Sequence, residues 1–299
     1  MSDWLSETGT IVQVLAGGGG PGKLVVVATP LGNLGDISRR ALELLESADV
    51  IYCEDTRHSN KLFSAHAIAV RSRLQSLHEH NEAYQCEAII TRVLAGQTVV
   101  LISDAGTPGI SDPGSRVVAA VARAGLVVTT APGPSAVIAA LSVSGLDTER
   151  FVMEGFVARK HGDREQSYAQ WASEPRTIVF YESPQRLART LGELAEHFAG
   201  RRAVVAREMT KLHEEIVRGT LEELAQTFSS REVVGEIVVV LEGAEPVLEI
   251  DETTLRGAIA DQLANGASVR DAVSSVTDEL GSSRREAYRI ALELRAEQT

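Results

Sequence analysis

Residues 101–114, LISDAGTPGISDPG, set three glycines, two prolines and two aspartates directly behind an apolar run, and ATPLGNLGD (28–36) and APGPSA (131–136) repeat the pairing of Pro with Gly. Glycine lets backbone amides approach a ligand and admits positive φ, while proline fixes a loop so that little ordering entropy is lost on binding. No GxxxxGK[ST] occurs, and none of the three loops contains Lys or Arg, which argues against a polyphosphate cradle. Small side chains, hydroxyls and a carboxylate suit a neutral or zwitterionic nucleoside instead, with Asp104 or Thr107 meeting an amino or hydroxyl group. An adenosyl-type cofactor is the ligand class this combination favours.

Groups able to move a proton or hold charge lie nearby in sequence. They are Glu54 and Asp55 in EDTRH, His78 and His80 in LHEHNE, and Asp112 at the end of the glycine loop. Asp55 and Arg57 fall just past a strand end, where active-site groups of an α/β sheet belong. The alternative for this pair is an internal ion pair that fixes the loop. His78 and His80 also read as ordinary residues of a helix start, and Asn81 as its cap. Glu182 and Glu208 follow later strand ends and could flank a cleft, but no metal-ligand spacing accompanies them, so no metal is expected. Arg57/His58/Lys61, Arg159/Lys160/Arg164 and Arg284/Arg285/Arg289 are the basic clusters that could meet phosphates.

The elements that must position these residues form an alternating series. LVVVATP, a Gly/Asn turn, ISRRALELLESADV and VIYCED make a βαβ start, continued by a helix around 80–95, TVVLIS, SRVVAAVARAG, LVVTTAP and SAVIAALSVSG. Continuous β-branched runs between amphipathic helices predict an α/β fold with a mostly parallel sheet covered on both faces. From about residue 148, FVMEGFVA, TIVFYES, PQRLARTLGELAEHF, AVVAREM, TLEELAQTF and GEIVVVLEG alternate again with tighter spacing, which predicts a mixed sheet. The expected organisation is a flexible extension over 1–22, an N-terminal α/β domain over 23–147, a second α/β domain over 148–246, and a helical unit over 252–299. In that last unit three short helices resemble a helix-turn-helix, with Ser283-Arg284-Arg285 opening the third; a plain helical cap is the alternative.

Composition narrows the class. The 299 residues are 44% hydrophobic and carry a net charge of −12, which weighs against nonspecific coating of nucleic acid but not against a local basic cleft. The N-terminus, MSDWLSETGT, lacks the features of a secretory signal and no run is long enough to span a membrane, so a cytoplasmic protein is expected. Cys53 and Cys86 lack metal or redox spacing and read as idle thiols.

TPLGNLGDISRRALE, EDTRHS, LHEHNE, SDAGTPGISDPG, PGPSA, FYESPQRL, AREMTK and GEIVVVLEG, in this order, resemble the tetrapyrrole-methylase superfamily and, within it, the ribosomal RNA small subunit methyltransferase I family. The likeness covers residues 23–299. It implies two α/β domains with S-adenosylmethionine in the cleft between them, a homodimer, and 2′-O-methylation of a cytidine in the decoding region of 16S rRNA in the small ribosomal subunit. Carried over by position, the cofactor contacts are Leu31, Ser103, Asp104, Gly106, Thr107, Ile110, Ser135 and Ala136 from the three loops, with Tyr181, Ala206 and Gly235 from the second domain. A ribose hydroxyl is a poor nucleophile at neutral pH and gains from a base. Asp55 and Arg57 are the favoured catalytic residues, with the base itself left open among the groups above, and Lys61 and Lys160 are the substrate contacts. The chain departs from the family after EGF, where FVARKHGDREQ has Ala158 at the expected proline and few basic residues. Two other readings compete: methylation of a porphyrinoid by the same fold, and a noncatalytic ribosome-associated factor.

Overall fold

A computed structural model of the chain describes residues 22–78, 80–244, 251–280, 282 and 284–297. The expected N-terminal extension therefore lies, apart from Gly22, outside the described residues, as does Ser283. The chain divides into two compact units, one ending at Gly243 and one beginning at Ala244.

The first unit holds two five-stranded sheets. One is built from β1 (Lys23–Val27), β2 (Val50–Cys53), β3 (Leu74–Ser76), β4 (Thr98–Leu101) and β5 (Val127–Ala131), in the order β3-β2-β4-β1-β5, with every pair parallel. Its connecting helices are α1 (Arg39–Ser47), α2 (Thr56–Ala65), α3 (Glu82–Leu94) and α4 (Ser115–Arg123), and α5 (Ala136–Ser144) follows the last strand. After Lys23 and Thr98 at their starts, the central strands are apolar because both faces are covered. Val25, Val27, Ile51 and Phe63 pack on one side, and Leu24, Tyr52, Leu77 and Ile89 on the other. Ser38 starts α1 by accepting the Ala41 amide at 3.1 Å.

The other sheet contains β6 (Phe151–Phe156), β7 (Thr177–Glu182), β8 (Arg202–Arg207), β9 (Glu215–Thr220) and β10 (Ile237–Leu241), in the order β6-β7-β10-β8-β9. Only β6 and β7 run parallel, so this sheet is mixed. The helices α6 (His161–Trp171), α7 (Pro184–His197) and α8 (Leu221–Ser229) bury one face around Phe180, Leu187, Val205 and Val239. The opposite face, with Val179, Val204, Ala206 and Val238, packs on Val137, Ala140 and Leu141 of α5. A helix contributed by the first half thus closes the core of the second.

Three elements go beyond those expected. EDTRHS opens α2, β3 adds an edge strand, and EIVRGT forms β9 at the opposite edge. The second unit, described by itself, is a three-helix cluster of α9 (Glu252–Ala264), α10 (Val269–Leu280) and α11 (Arg284–Glu297) around Leu255, Ile259, Val273 and Ile290. Among the described residues no helix is long and apolar enough to cross a membrane.

Candidate functional site

The three Gly/Pro loops follow the carboxyl ends of β1, β4 and β5, adjacent parallel strands, so topology alone brings them together. The backbone then ties them. Thr29 and Gly106 exchange amide hydrogen bonds of 2.9 and 3.0 Å in an isolated antiparallel bridge, and the Thr107 hydroxyl donates to the Pro134 carbonyl at 3.1 Å. Gly106 has φ of 79°, a conformation that costs a residue with a Cβ about 1–2 kcal/mol. At Gly133 a Cβ would meet that of Ala28 at 3.2 Å, so the first and third loops touch through the missing side chain.

These loops form one wall of a cavity of about 390 Å³, and the second sheet forms the other. Ten of the eleven residues named from the family resemblance line it: Leu31, Asp104, Gly106, Thr107, Ile110, Ser135 and Ala136 from the loop side, and Tyr181, Ala206 and Gly235 from the sheet side. Ser103 does not. It is buried behind the loop, with its hydroxyl 3.2 Å from the Ala105 carbonyl and 3.3 Å from that of Gly106, and it braces the turn that carries Asp104. The sequence reading missed Phe156, Met209 and Glu236, which also line the cavity, although Glu236 directly follows Gly235 in GEIVVVLEG. Phe156 and Tyr181 lie 5.2 Å apart between ring centroids and supply aromatic surface.

A second cavity of about 390 Å³ is lined by Glu54, Glu82, Pro113, Ser115 and Arg116, and it shares Ser111 and Asp112 with the first. The turn between them is held from an unexpected place. Buried Glu82 directs one carboxylate oxygen at the amides of Gly114 (3.0 Å), Arg116 (2.9 Å) and Val117 (3.4 Å), capping α4 from the start of α3. Asn81, expected to cap α3, instead accepts the His78 amide and donates to the Ser76 carbonyl. Ser111, with φ of 61°, is one of few non-glycine residues in the left-handed region. Burial and the neighbouring Glu54 carboxylate push Asp112 up to about 6, and burial raises Glu54 as well.

Asp55 and Arg57 line neither cavity. Asp55 is the N-cap of α2, accepting the Arg57 amide at 2.7 Å, and its carboxylate meets the Arg57 guanidinium at 3.0 Å. Those hydrogen bonds hold Asp55 down to about 2. Its own amide donates to the Asp104 carboxylate at 3.2 Å, so the α2 start is fastened to the cofactor-side loop through the backbone. The Arg57 side chain is 90% exposed and Lys61 is exposed on the same helix, whereas Lys160, exposed, directly precedes α6 on the other sheet.

Other candidates are tied into the structure. Glu182 is buried, with Arg186 at 2.6 Å and the Thr190 hydroxyl at 2.7 Å, and Glu208 is held by Lys211 at 2.8 Å, so neither carboxylate is available as half of a catalytic pair. Arg164 leaves the basic cluster altogether: it is 3% exposed and grips both oxygens of Glu193 at 2.9 and 3.0 Å. In the second unit Arg284 donates to Ser274 and Arg289 pairs with Glu252, Glu286 and Glu293. Cys53 is buried and pushed up to about 11. Among the described residues no group of three His, Cys, Asp or Glu side chains is arranged to hold a metal ion.

The donor set of the first cavity selects for positive charge. Asp104, Asp112 and Glu236 face it, Glu236 also pairing with Lys211 at 3.2 Å, no Lys or Arg among the described residues lines it, and apolar and aromatic surface completes it. An amphipathic ligand bearing an ammonium or sulfonium group fits, and one bearing a phosphate does not. The volume is within the range of about 300–1,000 Å³ for small-molecule sites.

Residues 23–225 match the family model of tetrapyrrole (corrin/porphyrin) methylases. The chain belongs to this family. It is 42% identical over 279 residues to a ribosomal RNA small subunit methyltransferase I from Synechocystis, covering 92% of this chain and 99% of that one. A protein of the same name from Mycobacterium tuberculosis is 46% identical over 256 residues, 85% of this chain and 89% of its own. Among solved structures, a cobalt precorrin-4 methyltransferase superposes with a TM-score of 0.55 at 17% identity, over 74% of this chain and 94% of that one. The uroporphyrin-III C-methyltransferase of Thermus thermophilus complexed with S-adenosylhomocysteine gives 0.52 at 21%, over 75% and 97%. These two share the fold with the chain, which is a methyltransferase.

Proposed function

We propose that the chain transfers a methyl group from S-adenosylmethionine to the 2′-hydroxyl of a cytidine in the decoding region of 16S rRNA. The methyl donor is S-adenosylmethionine and ribosomal RNA is the substrate. The observation that carries the reading is the cation-free, carboxylate-lined cavity behind the three tied loops. Asp104, Asp112 and Glu236 suit the positive groups of the donor, and Leu31, Ile110 and Met209 its apolar parts. Relatives at 42% and 46% identity named for small-subunit ribosomal RNA support the substrate class.

The chain's own contribution to transfer is alignment and exclusion of water, because an in-line displacement at a methyl carbon needs little covalent help. Exposed Arg57 and Lys61 on α2, with Lys160 on the opposite sheet, meet RNA phosphates, and the Asp55 cap keeps Arg57 aimed outward. The active form is a homodimer in the cytoplasm.

The test is transfer of labelled methyl to purified small subunits lacking the modification, followed by alkaline hydrolysis. Alkali needs a free 2′-hydroxyl, so a labelled, alkali-resistant cytidine dinucleotide is the expected product. Label that is released by alkali as a mononucleotide, or absent from rRNA, refutes the 2′-O assignment.

A further inference from the structure

The two cavities meet only at Ser111 and Asp112. If the first holds the methyl donor, the second is where a substrate group can approach from the other side of the same turn. We propose that the second cavity receives the ribose of the nucleotide to be methylated, its phosphates staying outside, and that Asp112 is the catalytic base, accepting the proton of the attacking hydroxyl. This rests on the ribose-methylation reading above.

The geometry singles out Asp112 among the carboxylates. Asp104 accepts the Asp55 amide and faces the first cavity only. Glu54 and Glu82 face the second only, and Glu82 is committed to three amides of α4. Asp112 alone lines both, and it is fixed at the end of a turn with Ser111 in a left-handed conformation and Gly114 capped by Glu82. A base must be where the nucleophile and the acceptor carbon meet.

The step balances as one displacement. The hydroxyl oxygen forms a bond to the methyl carbon of a sulfonium donor, the carbon–sulfur bond breaks with its electron pair kept by sulfur, and the hydroxyl proton passes to the Asp112 carboxylate. The charge of the sulfonium and of the carboxylate are discharged together. Asp112 then returns its proton to solvent through the second cavity.

The charges around Asp112 fit this role. Burial raises its proton affinity most, Glu54 just past β2, Asp104 in the loop after β4 and Glu236 just before β10 add to that, and the Ser103 hydroxyl opposes them by hydrogen bonding. Tyr181 on β7 faces it from the first cavity, and Glu82 and Arg116 border the second. An aspartate held near 6 is mostly ionised at neutral pH and is a stronger base than an ordinary one. As the ionised form is the active one, methylation rises as pH increases through about 6.

Three proteins test this: the full chain, Asp112→Asn and Glu54→Gln. The expected results are an Asp112 carboxyl ¹³C resonance titrating near 6 in the unmodified protein and absent in D112N, and a titration moved to lower pH in E54Q. Methyl transfer to small subunits should fall at least about 100-fold in D112N, the scale of a lost general base. In E54Q the acidic limb of the rate profile should move down with the resonance. S-adenosylhomocysteine binding, followed calorimetrically, should remain measurable in both variants. An active unmodified protein with D112N within about threefold of it overturns the base assignment alone. So does an acidic limb that stays fixed in E54Q while the Asp112 resonance moves. An unmodified protein that binds S-adenosylhomocysteine yet labels no rRNA overturns the functional reading, and this assignment with it.

Discussion

Removing the Glu82 carboxylate should unfasten the turn that joins the two cavities. One of its oxygens holds the amides of Gly114 and Arg116 at 3.0 and 2.9 Å, with Val117 farther off at 3.4 Å, and the residue is 4% exposed. Two well-formed bonds to a charged acceptor are each worth about 1.5–3 kcal/mol. Water entering the vacated space recovers part of that, since the second cavity opens beside it. A net loss of about 3 kcal/mol is therefore expected for Glu82→Ala, which in a domain of this size lowers the melting temperature by roughly 6–12 °C. Glu82→Gln keeps an acceptor oxygen of the same reach and should lose about 1 kcal/mol. Differential scanning calorimetry on all three proteins, with and without S-adenosylhomocysteine, measures both numbers. The alanine protein should also bind the ligand more weakly, because Asp112 stands two residues before the amide that loses its partner. A melting temperature within about 2 °C of the unmodified protein would show that solvent serves these amides as well as the carboxylate does, and the reasoning from the cap would fall.

Further predictions concern the core and the loops. Arg164→Met leaves Glu193 with only the exposed Arg189 and Tyr168 as partners, so a loss of about 3 kcal/mol is expected in urea denaturation. Glu193 and Glu174 are each held at about 2; burial alone would raise Glu193, but Arg164 and Arg189 outweigh it, and the Arg176 hydrogen bond leads for Glu174. Since their folded values lie below the ordinary 4.5, these groups stabilise fully above that pH. Thermal stability should therefore decline between about 4.5 and 2, and in Arg164→Met the part due to Glu193 should shrink, Arg189 and Tyr168 keeping some of it. Gly106→Ala, at φ of 79° and with a new Cβ 3.4 Å from Leu31, should weaken S-adenosylhomocysteine by about tenfold in calorimetry, about 1.4 kcal/mol. Thr220→Ala removes one side of the capping box with Glu223 at the start of α8 and should lower stability by about 1 kcal/mol without changing ligand affinity.

The parallel sheet was legible because its strands are buried on both faces and read as unbroken β-branched runs, LVVV and TVVL among them. β3 was not, since LQS is three residues long and carries no alternation, and EIVRGT hides a strand among charges because an edge needs only one apolar face. α2 was hidden by its polar composition: its buried residues are only Ser59, Leu62 and Phe63. The loops that wall the first cavity could be found from Pro/Gly pairing and from their place after parallel strands. What sequence could not give was which carboxylate does what. Asp55 beside Arg57 reads equally as an active-site pair and as an ion pair that fixes the loop, and in space the ion pair is made and Asp55 also caps α2. Glu82 reads as one helical glutamate among several, and its partners lie more than thirty residues downstream. Such pairings depend on how α3 and α4 pack together, which no local pattern records.

The first cavity takes its walls from Leu31 near the start of the main unit and from Val238 near its end, with the 104–112 loop, Ser135, Phe156, Tyr181 and Ala206 between. During synthesis, therefore, the site is among the last features to exist. A nascent chain released from the tunnel only as far as α5 has its three loops but no opposing sheet, and α5 still presents Val137 and Leu141 with nothing to cover them. Until β10, the central strand of the second sheet, has been made, the wall opposite the three loops is incomplete. The donor cavity and the main unit are thus completed together.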